Sequence, residues 1–137
     1  GRKLAGGFIQ SWTSTASNPD TTDEFSRKMV STEKIVFTHT LQKSEWANTV
    51  LATGDLVKEV HQIKQRPGVD IIAYGGGAFV TSLIENNLID EYFLFMNPVV
   101  LGQGMSIFQG AKEPMKIRLN ETRHFTCGVV CLHYVKA

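Results

Sequence analysis

The sequence predicts an α/β fold in which helices pack on a mixed β-sheet and a C-terminal antiparallel hairpin closes the chain. Three observations predict it. Short β-branched and aromatic runs alternate with stretches whose apolar residues recur at helical spacing, the pattern of a layered α/β sheet. A strand-like run ends in three consecutive glycines, Gly75, Gly76 and Gly77, before the next helical stretch. The chain finishes in two strand-like runs separated by a short turn.

Taken in order, residues 1–19 are rich in Gly, Ser, Thr and Asn and end in Asn18-Pro19. They predict a short helical or irregular stretch over 4–9, then a loop. Residues 20–31 read as a helix: Asp20, Thr21 and Thr22 are capping types, Asp23 and Glu24 suit the first turn, and Phe25 and Met29 would face a core. KIVFT at 34–38 reads as a buried strand, and 46–51 as another short one. Asp55 caps a helix whose apolar stripe is Leu56, Val60 and Ile63, and Pro67-Gly68 ends it. DIIAY at 70–74 is the next strand, and 78–87 a helix with Phe79, Val80, Leu83 and Ile84 inward. Residues 91–100 are apolar on both faces, as in a central strand covered on both sides. A loop at 101–104 and a hairpin, 115–125 with 128–135, complete the reading as one domain over 1–137.

The composition, 42% hydrophobic and 20% charged over 137 residues, is that of a soluble globular chain. A formal charge of +1 without a basic block argues against nucleic-acid binding by bulk charge. No apolar run has the length of a membrane span, and no secretory leader pattern follows Gly1. Cys127 and Cys131, read as one strand, would lie roughly 13 Å apart along it. A disulfide needs Cα atoms within about 7 Å, so the pair reads as two small buried thiols, and a cytoplasmic location is expected. No His, Cys or carboxylate spacing suggests a metal site, and no G-x-S-x-G elbow suggests a serine hydrolase.

The chemistry-bearing segment is 70–82, DIIAYGGGAFVTS. Gly75, Gly76 and Gly77 let the backbone turn sharply and present N–H groups with no side chain in the way. A helix opening at Ala78 and Phe79 points its positive end at the same place, which suits a pyrophosphate. It is neither a Walker A loop nor a spaced GxGxxG, and the same pattern serves a tight strand-to-helix connection with no ligand. Thr38, His39 and Thr40 follow a buried strand, where ligands of open α/β sheets bind; an ordinary turn reads the same way. Gly1, Arg2 and Lys3 add charge at the start.

Together these segments resemble a known family. GRK at 1–3, THTL at 38–41, EWANT at 45–49, GDL at 54–56, DIIAYGGGAFVTSLIENNLIDEY at 70–92 and NPVVLGQGMSIF at 97–108 resemble the dihydrofolate-reductase-like proteins that share a fold with the reductase domain of the bifunctional riboflavin-biosynthesis deaminase-reductase. The resemblance implies a three-layer mixed sheet with helices on both faces and NADPH-dependent reduction of a pterin-like or pyrimidine-like heterocycle. It also implies a homodimer. By the same resemblance Gly1, Arg2 and Lys3 begin a helix that meets cofactor phosphate. Thr38, His39 and Thr40 hold the adenosine 2′-phosphate. Gly75, Gly76 and Gly77, with Ala78 and Phe79, take the pyrophosphate.

Three departures accompany the resemblance. The family's opening strands and helix precede GRK and are absent from this sequence, so the module reads as N-terminally incomplete and no catalytic residue is placed. Leu4 stands where many relatives have Thr, and His39 where many have Arg, whose fixed fork suits a phosphate better. Leu4, His39 and the absent opening segment favour an alternative, a non-catalytic nucleotide-binding or dimerisation module; a further one is a different nucleotide-using enzyme on the same scaffold, since fold does not fix function.

Overall fold

The computed structural model describes residues 2–68, 70–74, 76–109, 111 and 113–137, with the backbone alone for Arg2 and Lys3. The chain divides into two compact units, Gly1–Gly76 and Gly77–Ala137.

The first unit opens with α1 (Arg2–Ser17) and α2 (Glu24–Ser31). The predicted short stretch over 4–9 is a 16-residue helix. Its Ser- and Thr-rich second half has weak helix propensity, but packing carries it. Ile9 is buried, Phe8 meets Trp12 edge-on one turn later, and Trp12 meets Phe25 of α2 edge-on at 5.3 Å between ring centroids. Such aromatic pairs add about 0.5–1.5 kcal/mol each beyond the area they bury. The α2 helix starts later than predicted because Asp20–Thr22 form a turn in which the N–H groups of Thr21 and Thr22 donate to Asn18 O. The cap is Asp23, whose carboxylate accepts from Ser26 N at 2.6 Å while Ser26 Oγ accepts from Asp23 N at 3.0 Å. That reciprocal pair satisfies two end-of-helix donors and explains how Ser26 is fully buried.

β1 (Lys34–Phe37) and β2 (Thr49–Ala52) pair in parallel, Lys34 opposite Thr49 and Phe37 opposite Ala52. Asn48 has φ 51°, a left-handed turn that delays β2 past the predicted start at 46. α3 (Leu56–Lys64) follows the prediction, with the Asp55 carboxylate accepting from Lys58 N at 3.0 Å. The DIIAY run at 70–74 departs from it. It is in no strand, and Ile71, Ile72 and Tyr74 are exposed. A β-run becomes a strand through its ladder, and neither sheet among the described residues pairs with this one.

The second unit holds α4 (Gly77–Glu85), β3 (Glu91–Met96), β4 (Ile117–His124) and β5 (Val130–Lys136). The α4 helix ends through Asn87, at φ 55°, with Leu88 N donating to Leu83 O at 2.9 Å. Leu83, Ile84, Leu88 and Tyr92 are its buried core. The strands form an antiparallel sheet of order β3-β5-β4, with a bulge between Leu119 and Glu121. The predicted hairpin is present, turned by Gly128 at φ 86°. Two expectations are corrected. β3 stops at Met96, before Asn97-Pro98, and it is an edge strand whose Phe93 and Phe95 are exposed, not a covered central one. Cys127 lies in the exposed hairpin turn rather than in a strand, while Cys131 is buried on β5, and both are free thiols. Helices with one parallel and one antiparallel ladder make this a mixed α/β fold.

Candidate functional site

The carboxyl end of β1 carries a turn built around one hydroxyl. Thr38 is buried, and its N–H donates to Ala52 O at 3.0 Å, extending the ladder one residue past the strand. Its Oγ1 accepts from Thr40 N at 3.2 Å and from Leu41 N at 3.1 Å. This is a hydroxyl-closed turn, and it splits the three predicted residues by role. Thr38 is the internal brace. His39 and Thr40 are exposed beyond it. Leu41, which the sequence reading did not single out, contributes its N–H to the brace; a threonine two and three residues before donors was the available signal.

Gly76 and Gly77 are each met by an apolar side chain. A Cβ built on Gly76 would lie 3.1 Å from Leu4 Cδ1, so the first turn of α1 and Gly76 are in direct contact. In the second unit a Cβ on Gly77 would lie 3.3 Å from Met105 Sδ. Both glycines therefore make room for a neighbouring side chain, which is the tight-packing use of glycine. Ala78 and Phe79 stand in the first turn of α4, Ala78 exposed and Phe79 half-buried. Gly1 and Gly75, and the side chains of Arg2 and Lys3, lie outside the described residues.

Other polar groups lie elsewhere. A cleft of about 500 Å³ in the first unit is lined by Ile9, Gln10, Lys34, Glu45 and Trp46 among others, and by none of the predicted site residues. It opens beside Lys34, at the amino end of β1, where Lys34 Nζ donates to Val30 O and Thr32 O at 2.8 Å each and burial lowers the ammonium pKa. In the second unit burial, and then the Asp90 charge, raise the Tyr92 phenol pKa. Among the described residues no group of three His, Cys, Asp or Glu side chains is placed to hold a metal ion, and no helix is long and apolar enough to cross a membrane.

Comparison with known proteins adds three findings. Residues 7–131 match the profile of the RibD C-terminal domain. The chain is 36% identical over 118 residues to the uncharacterized protein YyaP of Bacillus subtilis (strain 168), covering 85% of this chain and 62% of YyaP. It is 37% identical over 76 residues to the uncharacterized YwjB of the same organism, covering 56% of this chain and 43% of YwjB. It thus spans less than two thirds of either relative. Among solved structures it is similar to a protein described under riboflavin biosynthesis from Shewanella sp. PV-4, with a TM-score of 0.67, 17% identity, and coverage of 93% of this chain and 87% of that one. That likeness places the fold with the dihydrofolate-reductase-like proteins.

Proposed function

Because the chain belongs to the RibD C-terminal domain family, we propose that it carries the nucleotide-binding side of a reductase that uses NADPH to reduce a pterin-like or pyrimidine-like heterocycle. The observation that carries this reading is the hydroxyl-closed turn at 38–41, set at the carboxyl end of a parallel strand, where ligands of α/β sheets bind. Thr38 fixes the turn from inside, and His39 and Thr40 meet the adenosine 2′-phosphate. In this reading Gly76 contributes to the pyrophosphate cradle, and the start of α1 meets cofactor phosphate, the helix end supplying N–H groups and a favourable dipole. The bound cofactor supplies the hydride, and the protein's part is to bind and orient it. The riboflavin-biosynthesis description of the Shewanella neighbour supports a heterocyclic substrate.

The residues fit the cofactor in part. The turn and the helix end suit phosphates, whereas Leu4 puts an apolar side chain against Gly76. That contact favours the second reading, a non-catalytic nucleotide-binding or dimerisation module that keeps the fold. Titration of NADPH into the folded protein, followed by cofactor fluorescence, tests the cofactor site: saturable binding below millimolar concentration supports it, and its absence removes the reductase and leaves a dimerisation module.

A further inference from the structure

We infer that the cleft at the amino end of β1 is a second ligand site, and that it takes a small amino-acid zwitterion with an apolar side chain. This rests on the cleft alone and not on the cofactor reading. The cleft lies within the first unit and has a volume of about 500 Å³, in the range of pockets that take small ligands. β1 runs from Lys34, which lines the cleft, towards the turn at 38–41. The cleft and the proposed cofactor turn therefore sit at opposite ends of one strand.

Its apolar wall is built by spacing. Gly6, Ile9 and Gln10 of α1 lie three and four residues apart, on one face of the helix, and all three line the cleft. Ile9 is buried and Trp46, from the loop before β2, is half-buried. A Cβ on Gly6 would lie 3.5 Å from Trp46 Cζ2, so the indole stands against the helix. Ile9 and Trp46 together offer an aliphatic and an aromatic surface to an apolar group.

Its charges select the occupant. Lys34 Nζ donates to Val30 O and Thr32 O at 2.8 Å each, which leaves one of its three N–H groups. Neither carbonyl neutralises the cation, and burial lowers its pKa, so an arriving carboxylate supplies the counter-ion it lacks. Among the described residues the Glu45 carboxylate and the Gln10 amide have no hydrogen-bond or ion-pair partner, although both line the same cleft. Lys34 and Glu45 thus stand beyond the ion-pair distance of 4.0 Å from each other. A simple carboxylate would leave Glu45 unanswered, and a simple amine would leave Lys34. A zwitterion answers both, its carboxylate at Lys34, its ammonium at Glu45, and its side chain against Ile9 and Trp46.

The test removes one feature of the ligand at a time. Binding of L-phenylalanine to the full chain is measured by isothermal titration, beside phenylpropionate, which lacks the ammonium, phenethylamine, which lacks the carboxylate, and free glycine, which lacks the side chain. L-Phenylalanine should bind saturably with a Kd at or below about millimolar, and each of the other three at least fivefold more weakly. Glu45→Gln should weaken L-phenylalanine at least fivefold and leave phenylpropionate as in the parent, because that analogue has no ammonium to meet Glu45. Lys34→Met should weaken L-phenylalanine and spare phenethylamine. Circular dichroism checks the fold of each variant; if Lys34→Met loses it, because Lys34 holds the end of α2, the Glu45→Gln comparison decides. No saturable binding of L-phenylalanine at about 20 mM, analogues that bind as tightly as it does, or a Glu45→Gln variant that binds it as the parent does would each overturn the inference.

Discussion

Leu4 and Gly76 are packed so closely that a methyl group added to the glycine would crowd the leucine: a Cβ there would sit 3.1 Å from Leu4 Cδ1, tight enough that the leucine must give by a few tenths of an ångström. Gly76→Ala should therefore act first through Leu4. The leucine is half-exposed and can give way, so the expected loss is about 1 kcal/mol, the low end of overpacking. In a Leu4→Ala background the same change should cost less than about 0.5 kcal/mol, a coupling measurable by a double-mutant denaturation cycle. Equal losses in both backgrounds would show that the two residues are independent.

Leu4 also sets an expectation for ligand affinity. Leu4→Thr exchanges the apolar cover for a hydroxyl beside a helix N-terminus. NADPH affinity should rise about tenfold, or about 1.4 kcal/mol. Isothermal titration of both proteins measures it, and an unchanged or weaker affinity would mean that the leucine does not cover the phosphate position.

Thr38 separates folding from binding at the turn. Thr38→Val keeps the shape but leaves the N–H groups of Thr40 and Leu41 without their acceptor. The expected loss is about 1–2 kcal/mol in chemical denaturation, with Thr38→Ser near the parent. If valine is tolerated, the hydroxyl does not brace the turn.

How much of this was legible in the sequence varied with how local the cause was. Asp55 as a cap, the α3 stripe and the terminal hairpin depend on a few adjacent residues, and they stand where periodicity placed them. The long α1 depends on Trp12 meeting Phe25 across two helices, which no local propensity encodes. The strand expected at 70–74 failed for the complementary reason: its composition suits a strand, but a ladder needs a neighbour. At the site, a turn at 38–40 was readable from its place after a buried strand, whereas the Thr38 brace on Leu41 was not. Leu4 and Met105 against the glycines were not, because each contact joins residues far apart in sequence.

The Asp23 cap gives a pH signature. Hydrogen bonds from Ser26, backbone first and side chain next, lower the carboxyl pKa. A folded pKa below the unfolded value of about 3.9 means that the stabilisation is complete above that value and is lost as pH falls through the folded one. Asp23→Ala should flatten the acid limb of the Tm–pH curve, whereas an acid limb identical to the parent's would remove the cap from the account. For scale, Asp55→Ala at the α3 cap should cost about 1 kcal/mol near neutral pH.

The central claim is nucleotide binding, and an NADPH titration of the folded parent beside His39→Arg tests it most directly. The account predicts saturable binding of the parent below about millimolar cofactor, with affinity about tenfold higher, or about 1.4 kcal/mol, when arginine's fork replaces the imidazole at the 2′-phosphate. No binding by either protein at millimolar NADPH, with both shown to be folded by circular dichroism, would contradict it and leave a module that kept the fold without the cofactor.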